Sequence, residues 1–308
     1  MQAGEFIPSA PVTNFSSIKC SQKELEAPLV IIQPHGSKKP LFFIHPIGGN
    51  VFCYKELARC LGSEQPFYGL QAPSLFGECK PYTRIEDMAA HYIAAMQTVQ
   101  PQGPYYLGGW SLGSFVAFEM AQQLQKQGQQ VPVLILLDNV APNSYKQPIN
   151  TQPNDESRIL ASFAYDIASS AGKTISVSYE YFQQMQYDKQ LNYVFEQLQI
   201  ANLIPANFSF DNFCLFLNIY QSNLQASENY VAQIYPNRMI LLRACDSNEG
   251  FDYPNDPSWG WNKLSSEPVE ISTVPGNHYT MLAKPHVHVL AEYLNTYLNQ
   301  AEYGLFVK

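Results

Sequence analysis

Long apolar runs are missing from this chain of 308 residues. Without a stretch of eighteen or more apolar residues, nothing in it reads as a membrane-spanning helix. The polar N-terminus also lacks the charged-then-apolar profile of a secretory leader. Basic residues are few: 18 Lys and Arg against 26 Asp and Glu give a formal charge of −8, with no dense basic cluster. Nucleic acid and anionic membrane are therefore excluded as partners, because both require basic surface. The six cysteines (20, 53, 60, 79, 214, 245) show no Cys-x-x-Cys spacing and no histidines at metal-ligand spacing. That excludes a disulfide framework and a metal site. It points instead to free, mostly core-packed thiols in a reducing cytoplasm. Internal repeats and low-complexity tracts are absent as well.

What is present is enough to build one soluble catalytic domain. The hydrophobic content of 46% can fill a sizeable core, and α/β folds of this length are often one domain. Residues 1–28 are rich in Pro, Ser and Thr and read as an arm or linker. From Leu29 onward strands and helices alternate, the α/β pattern of a mostly parallel sheet flanked by helices. The domain spans 29–302, and 303–308 form a tail. The helix expected over Arg84 to Gln100 carries a stripe of Ile85, Met88, Ala89, Tyr92, Ile93 and Met96.

Chemistry concentrates at Gly109-Trp110-Ser111-Leu112-Gly113. A strand-like run (Tyr105, Tyr106, Leu107) precedes it and a helix-like run (Phe115 to Gln127) follows. This is the context of a nucleophile elbow, a sharp turn that presents a serine hydroxyl at a sheet edge. Glycines flank the serine because side chains there would collide with neighbouring backbone. By itself the pattern arises by chance about one time in ten in a chain this long, so its partners carry the argument. Asp138 ends the apolar run Val133 to Leu137, and His278 lies in a Pro/Gly loop after the strand-like Val269 to Val274. Serine, carboxylate and histidine then follow in the order of the α/β-hydrolases. A serine hydroxyl is a poor nucleophile until an imidazole accepts its proton, and a carboxylate fixes the imidazole tautomer. A second carboxylate, Asp246, follows the strand-like Arg238 to Cys245 and could serve instead of Asp138.

The apolar run Leu41 to Ile44 stops at His45-Pro46-Ile47-Gly48-Gly49-Asn50. Such a turn leaves backbone N–H groups free to face the elbow. The oxyanion hole then comprises the N–H of Leu112 and one from this turn, for which Ile47 is the candidate. His45 reads as a structural residue that holds the turn.

The series His45-Pro46-Ile47-Gly48-Gly49, Gly109 to Ser114, Leu136-Leu137-Asp138 and Gly276 to Leu282 resembles the type I thioesterase domains of nonribosomal peptide and polyketide synthetases. Trp259-Gly260-Trp261 with Leu264-Ser265 is similar too, and the resemblance runs from about Pro40 to about Leu298. It implies an α/β-hydrolase fold with a helical lid, and it places the acid after the strand that follows the elbow helix. Asp138 stands there, 27 residues beyond Ser111, so the resemblance favours it over Asp246. It also implies that no cofactor binds the domain itself and that the substrate arrives on the phosphopantetheine of a carrier-protein partner.

Roughly ninety residues, about 143–236, break the alternation, too many for a simple connection. Helices are expected at Glu156 to Ala171, Asp188 to Asn202 and Ser209 to Gln233, forming a lid or an inert packed layer. The expected function is release of an acyl or peptidyl chain through an acyl-Ser111 intermediate, by hydrolysis or macrocyclisation. Three alternatives share these residues: a stand-alone editing thioesterase, a carboxylesterase or lipase on oxoesters, and a non-catalytic docking module.

Overall fold

A computed structural model describes residues 28–77, 79–142, 144, 155–182, 184–246 and 254–303. The arm expected at 1–28 and the tail at 303–308 fall almost wholly outside them. The chain divides into two compact units, one of residues 148–217 and one of residues 21–147 and 218–308.

The larger unit is built on a seven-stranded sheet in the order β1-β3-β2-β4-β5-β6-β7. Its strands are β1 Leu29–Gln33, β2 Leu41–Ile44, β3 Phe67–Leu70, β4 Tyr106–Trp110, β5 Val133–Leu137, β6 Ile240–Ala244 and β7 Glu270–Val274. Only β1 runs antiparallel, against β3, at one edge. The central strands read Leu-Phe-Phe-Ile and Val-Leu-Ile-Leu-Leu without alternation and are fully buried, as parallel strands covered on both faces must be. Their side chains still alternate between two cores. Phe42, Ile44, Leu134, Leu136 and Leu241 meet helices α2 (Ile85–Gln97) and α3 (Leu112–Lys126). Leu41, Phe43, Val133, Ile135, Leu137 and Leu242 meet α1 (Lys55–Leu61) and α8 (Val287–Glu302). Burying each such side chain is worth roughly 1.5–3 kcal/mol.

The smaller unit contains α4 (Glu156–Ser170), α5 (Tyr179–Phe182), α6 (Tyr187–Ile200) and the start of α7 (Phe210–Asn229). Asp155 caps α4 by accepting from the Arg158 N–H, and the Tyr179 hydroxyl donates to the same carboxylate. Phe213 is buried there, with the rings of Phe163, Phe195 and Phe210 5.5–5.8 Å from its own. At least these aromatic residues of the insertion fill its own core. The later part of α7 belongs to the larger unit: Ala226 and Tyr230, just past its end, pack into the core beneath α3. The short helix α5 has no counterpart in the sequence reading.

The expectation of mostly core-packed thiols needs correcting. Among the described residues Cys79 and Cys245 are exposed, and Cys53, Cys60 and Cys214 are partly buried. Among the described residues no cysteine is in a disulfide; Cys20 lies outside them.

Candidate active site

Ser111 occupies the single residue between β4 and α3, with φ 56° and ψ −128°. For a residue with a side chain this is a sparsely populated conformation costing about 1–3 kcal/mol, which surrounding contacts must hold. The neighbouring glycines permit it. A Cβ on Gly109 would overlap the backbone of Gly113, and one on Gly113 would overlap the Ile44 carbonyl. The first turn of α3 is thus pressed against the ends of β4 and β2 at once. The Ser111 N–H donates to Leu137 O at 3.0 Å, so the elbow is also tied to the end of β5.

The next residue after that strand end is Asp138, also at positive φ (48°) and almost wholly buried. Its N–H donates to Leu242 O (2.8 Å). Its carboxylate is held at both oxygens: Oδ1 accepts from the Ala244 N–H (2.6 Å) and Oδ2 lies 2.8 Å from His278 Nδ1. A carboxylate can only accept, so Nδ1 carries the proton and Nε2 keeps its lone pair in the neutral ring. His278 is largely buried, with the Trp110 ring centroid 5.0 Å from its own. The loop bearing it is shaped by Asn277, whose Oδ1 accepts from the N–H groups of Tyr279 (3.1 Å) and Thr280 (3.0 Å).

The two candidate acids are thereby distinguished in their surroundings. Asp246 is exposed, and its Oδ1 accepts from the Cys245 thiol at 3.3 Å. Asp138 is the one bonded to the histidine.

Ile47 sits in a turn closed by the Gly49 N–H donating to Pro46 O (2.9 Å). His45 is fully buried beneath it, with Nδ1 2.7 Å from Pro46 O and Nε2 2.7 Å from the Tyr92 hydroxyl. Burial pushes its pKa down to about 4, so it is a neutral Nδ1–H tautomer that braces the turn. Leu112, whose N–H is the other oxyanion candidate, opens α3, where the first N–H groups have no partner within the helix.

Three residues at this site escaped the sequence reading. The Tyr54 hydroxyl donates to Ile44 O (2.5 Å) and accepts from the Trp110 N–H (3.0 Å), tying the ends of β2 and β4 together. Asn223, buried on α7, donates to Ile47 O (2.7 Å). Asn139 donates from Nδ2 to Ser111 O (2.8 Å), while its own carbonyl accepts from the buried Trp261 indole (2.8 Å). Asn223 did leave a trace in the sequence, as a polar residue in the stripe Ile219, Tyr220, Ala226 and Tyr230.

A mostly parallel sheet with a strained serine turn and a buried carboxylate–imidazole pair at its strand ends is the architecture of the α/β-hydrolase class. The chain belongs to the thioesterase-domain family, whose model, described as Thioesterase domain, matches residues 39–297. It is 44% identical over 144 residues to a dimodular nonribosomal peptide synthase of Bacillus subtilis, covering 47% of this chain and 6% of that protein. It is 27% identical over 266 residues to chondramide synthase of Chondromyces crocatus, covering 85% of this chain and 7% of that one. Among solved structures, a four-domain nonribosomal peptide synthetase bound to AMP and glycine superimposes with a TM-score of 0.80. That likeness has 31% identity and covers 88% of this chain and 20% of the other. The NocB thioesterase domain, captured covalently with a fluorophosphonate nocardicin G analogue, shares the fold at TM-score 0.63 and 21% identity, covering 88% and 100%. The chain therefore spans only a small part of the length of the multidomain relatives it matches.

Proposed function

We propose that this domain releases an acyl or peptidyl chain from the phosphopantetheine thioester of a carrier protein through a covalent Ser111 intermediate. His278 Nε2 takes the Ser111 proton as Oγ attacks the thioester carbonyl carbon. Asp138 holds the ring in the required tautomer and stabilises the cation. The N–H groups of Ile47 and Leu112 bind the oxyanion, each donor of this kind being worth about 3–4 kcal/mol. The tetrahedral intermediate collapses, the C–S bond breaks, and the thiolate leaves with the proton from His278. Water, or a nucleophile within the acyl chain, then repeats the attack on the acyl-serine. The product is a free acid or a macrocycle. Every step uses this chain's own acid, base and donors. The partner in this reading is a carrier domain, and the setting is the cytoplasm.

The observation that carries the reading is the Asp138–His278 hydrogen bond of 2.8 Å, reaching from the end of β5 to the loop after β7, with Ser111 tied to the end of β5 through Leu137 O. The test is Ser111→Ala, assayed on an octanoyl N-acetylcysteamine thioester and on p-nitrophenyl octanoate, with thermal unfolding as the fold control. Turnover should vanish while the unfolding midpoint stays put. Wild-type turnover in the variant would refute the assignment, and a strong preference for the oxoester would favour a carboxylesterase.

A further inference from the structure

The N–H of Leu112 and the carbonyl of Ser111 are two ends of one peptide group, and the N–H of Ile47 is likewise the far end of the Pro46 carbonyl. Both carbonyls are doubly engaged in the same way. Ser111 O accepts from the Ser114 N–H at 2.9 Å and from Asn139 Nδ2 at 2.8 Å. Pro46 O accepts from the Gly49 N–H at 2.9 Å and from His45 Nδ1 at 2.7 Å. Each candidate oxyanion donor thus belongs to a peptide whose oxygen is held by one backbone N–H and one side-chain N–H.

We infer that Asn139 and His45 are positioning residues of the oxyanion hole, each acting on its donor through the intervening peptide plane. The inference rests on the functional reading above, in which Leu112 and Ile47 supply the donors. The physics has two parts. A hydrogen bond accepted by a carbonyl draws electron density from its own nitrogen and strengthens the N–H as a donor, the polarisation that makes hydrogen-bond chains cooperative. Two bonds on one oxygen also fix the plane of the peptide, so the N–H is aimed before charge develops and need not reorganise. The backbone that carries Asn139 is fixed by the Trp261 indole on its main-chain carbonyl, and the His45 ring is clamped at Nε2 by Tyr92.

Asn139 is the residue to test, since it is only partly buried and removing the fully buried His45 would also open a cavity. Asn139→Ala deletes the donor, and Asn139→Asp keeps the shape while removing the ability to donate. The probe is ethyl octylphosphonofluoridate. Ser111 Oγ forms a bond to phosphorus, the P–F bond breaks, fluoride leaves, the serine proton passes to His278, and the phosphonyl oxygen enters the oxyanion hole. Labelling rate, site of labelling by mass spectrometry, and the phosphorus-31 resonance of the adduct are measured for wild type and both variants. Both variants should label Ser111 about tenfold more slowly, a fraction of what outright loss of a donor costs. Their resonances should move toward that of the denatured adduct. An unchanged rate, or slower labelling with an unmoved resonance, overturns the inference and leaves Ser111 as the nucleophile. Absence of label from Ser111 in the wild type overturns the underlying reading, and this inference with it.

Discussion

Replacing Asp138 with Asn tests the site through a single proton. The side chain keeps its shape, and the surroundings dictate how its amide is oriented. The Ala244 N–H lies 2.6 Å from Oδ1 and can only donate, so the amide oxygen must take that position. The amide nitrogen then faces His278 Nδ1, where the carboxylate oxygen now stands at 2.8 Å. A donor facing Nδ1 forces the ring to accept there and to carry its proton on Nε2, the atom that should receive the Ser111 proton. The base is thereby placed in the wrong tautomer without moving. The same exchange in serine hydrolases lowers kcat by about four orders of magnitude, equivalent to about 5.5 kcal/mol of transition-state stabilisation. The assay is kcat and KM on octanoyl N-acetylcysteamine, with Asp246→Asn measured beside it. The first variant should lose about 10⁴ in kcat with KM little changed. The second should stay within about twofold, because exposed substitutions away from special contacts are usually small in effect. An Asp138→Asn enzyme retaining more than a tenth of its kcat would refute the argument, and a collapse on changing Asp246 would transfer the acid to that residue.

Two further outcomes follow from the same geometry. Gly113→Ala puts a Cβ onto the Ile44 carbonyl, which is backbone and cannot step aside; the stability loss should be about 3 kcal/mol or more, read as the chemical-denaturation midpoint, and a midpoint equal to wild type would contradict the close approach. His45, brought down to about 4 by burial from 6.5 in an unfolded chain, binds a proton in the unfolded state first. Its contribution is therefore intact above pH 6.5 and is lost as pH falls toward 4, a change of about 3 kcal/mol. The difference in denaturation midpoint between pH 7 and pH 4.5 should be smaller in His45→Gln than in wild type, and equal differences would exclude this buried imidazole as the cause.

The parts legible in the sequence were those whose chemistry forces a local pattern. The elbow has to be Gly-x-Ser-x-Gly because Gly109 and Gly113 touch, and the central strands have to be continuously apolar because both faces are covered. Asp138 and Asp246 could not be told apart from residues alone, since both end a buried strand. What separates them is a pair of hydrogen bonds, to Ala244 and His278, between residues more than a hundred positions apart. Tyr54 and Asn139 were invisible, and Asn223 left only its polar break in an apolar stripe, for a related reason. Each serves by bonding a distant backbone carbonyl, and such a bond imposes no spacing on the sequence. The cysteines were misplaced because thiols are small and apolar enough to suggest burial, whereas Cys79 and Cys245 lie in connecting segments at the surface.

The bonds on Asp138 carry a consequence for how such a chain can diversify. Its N–H reaches Leu242 and its carboxylate reaches Ala244, so one residue ties the departure point of everything inserted after β5 to the far end of β6, downstream of where the chain returns at Ile240. Lengthening a flexible excursion is cheap, about 0.6 kcal/mol for each doubling. The excursion can therefore be exchanged like a cassette, with the acid kept in register by its own seam.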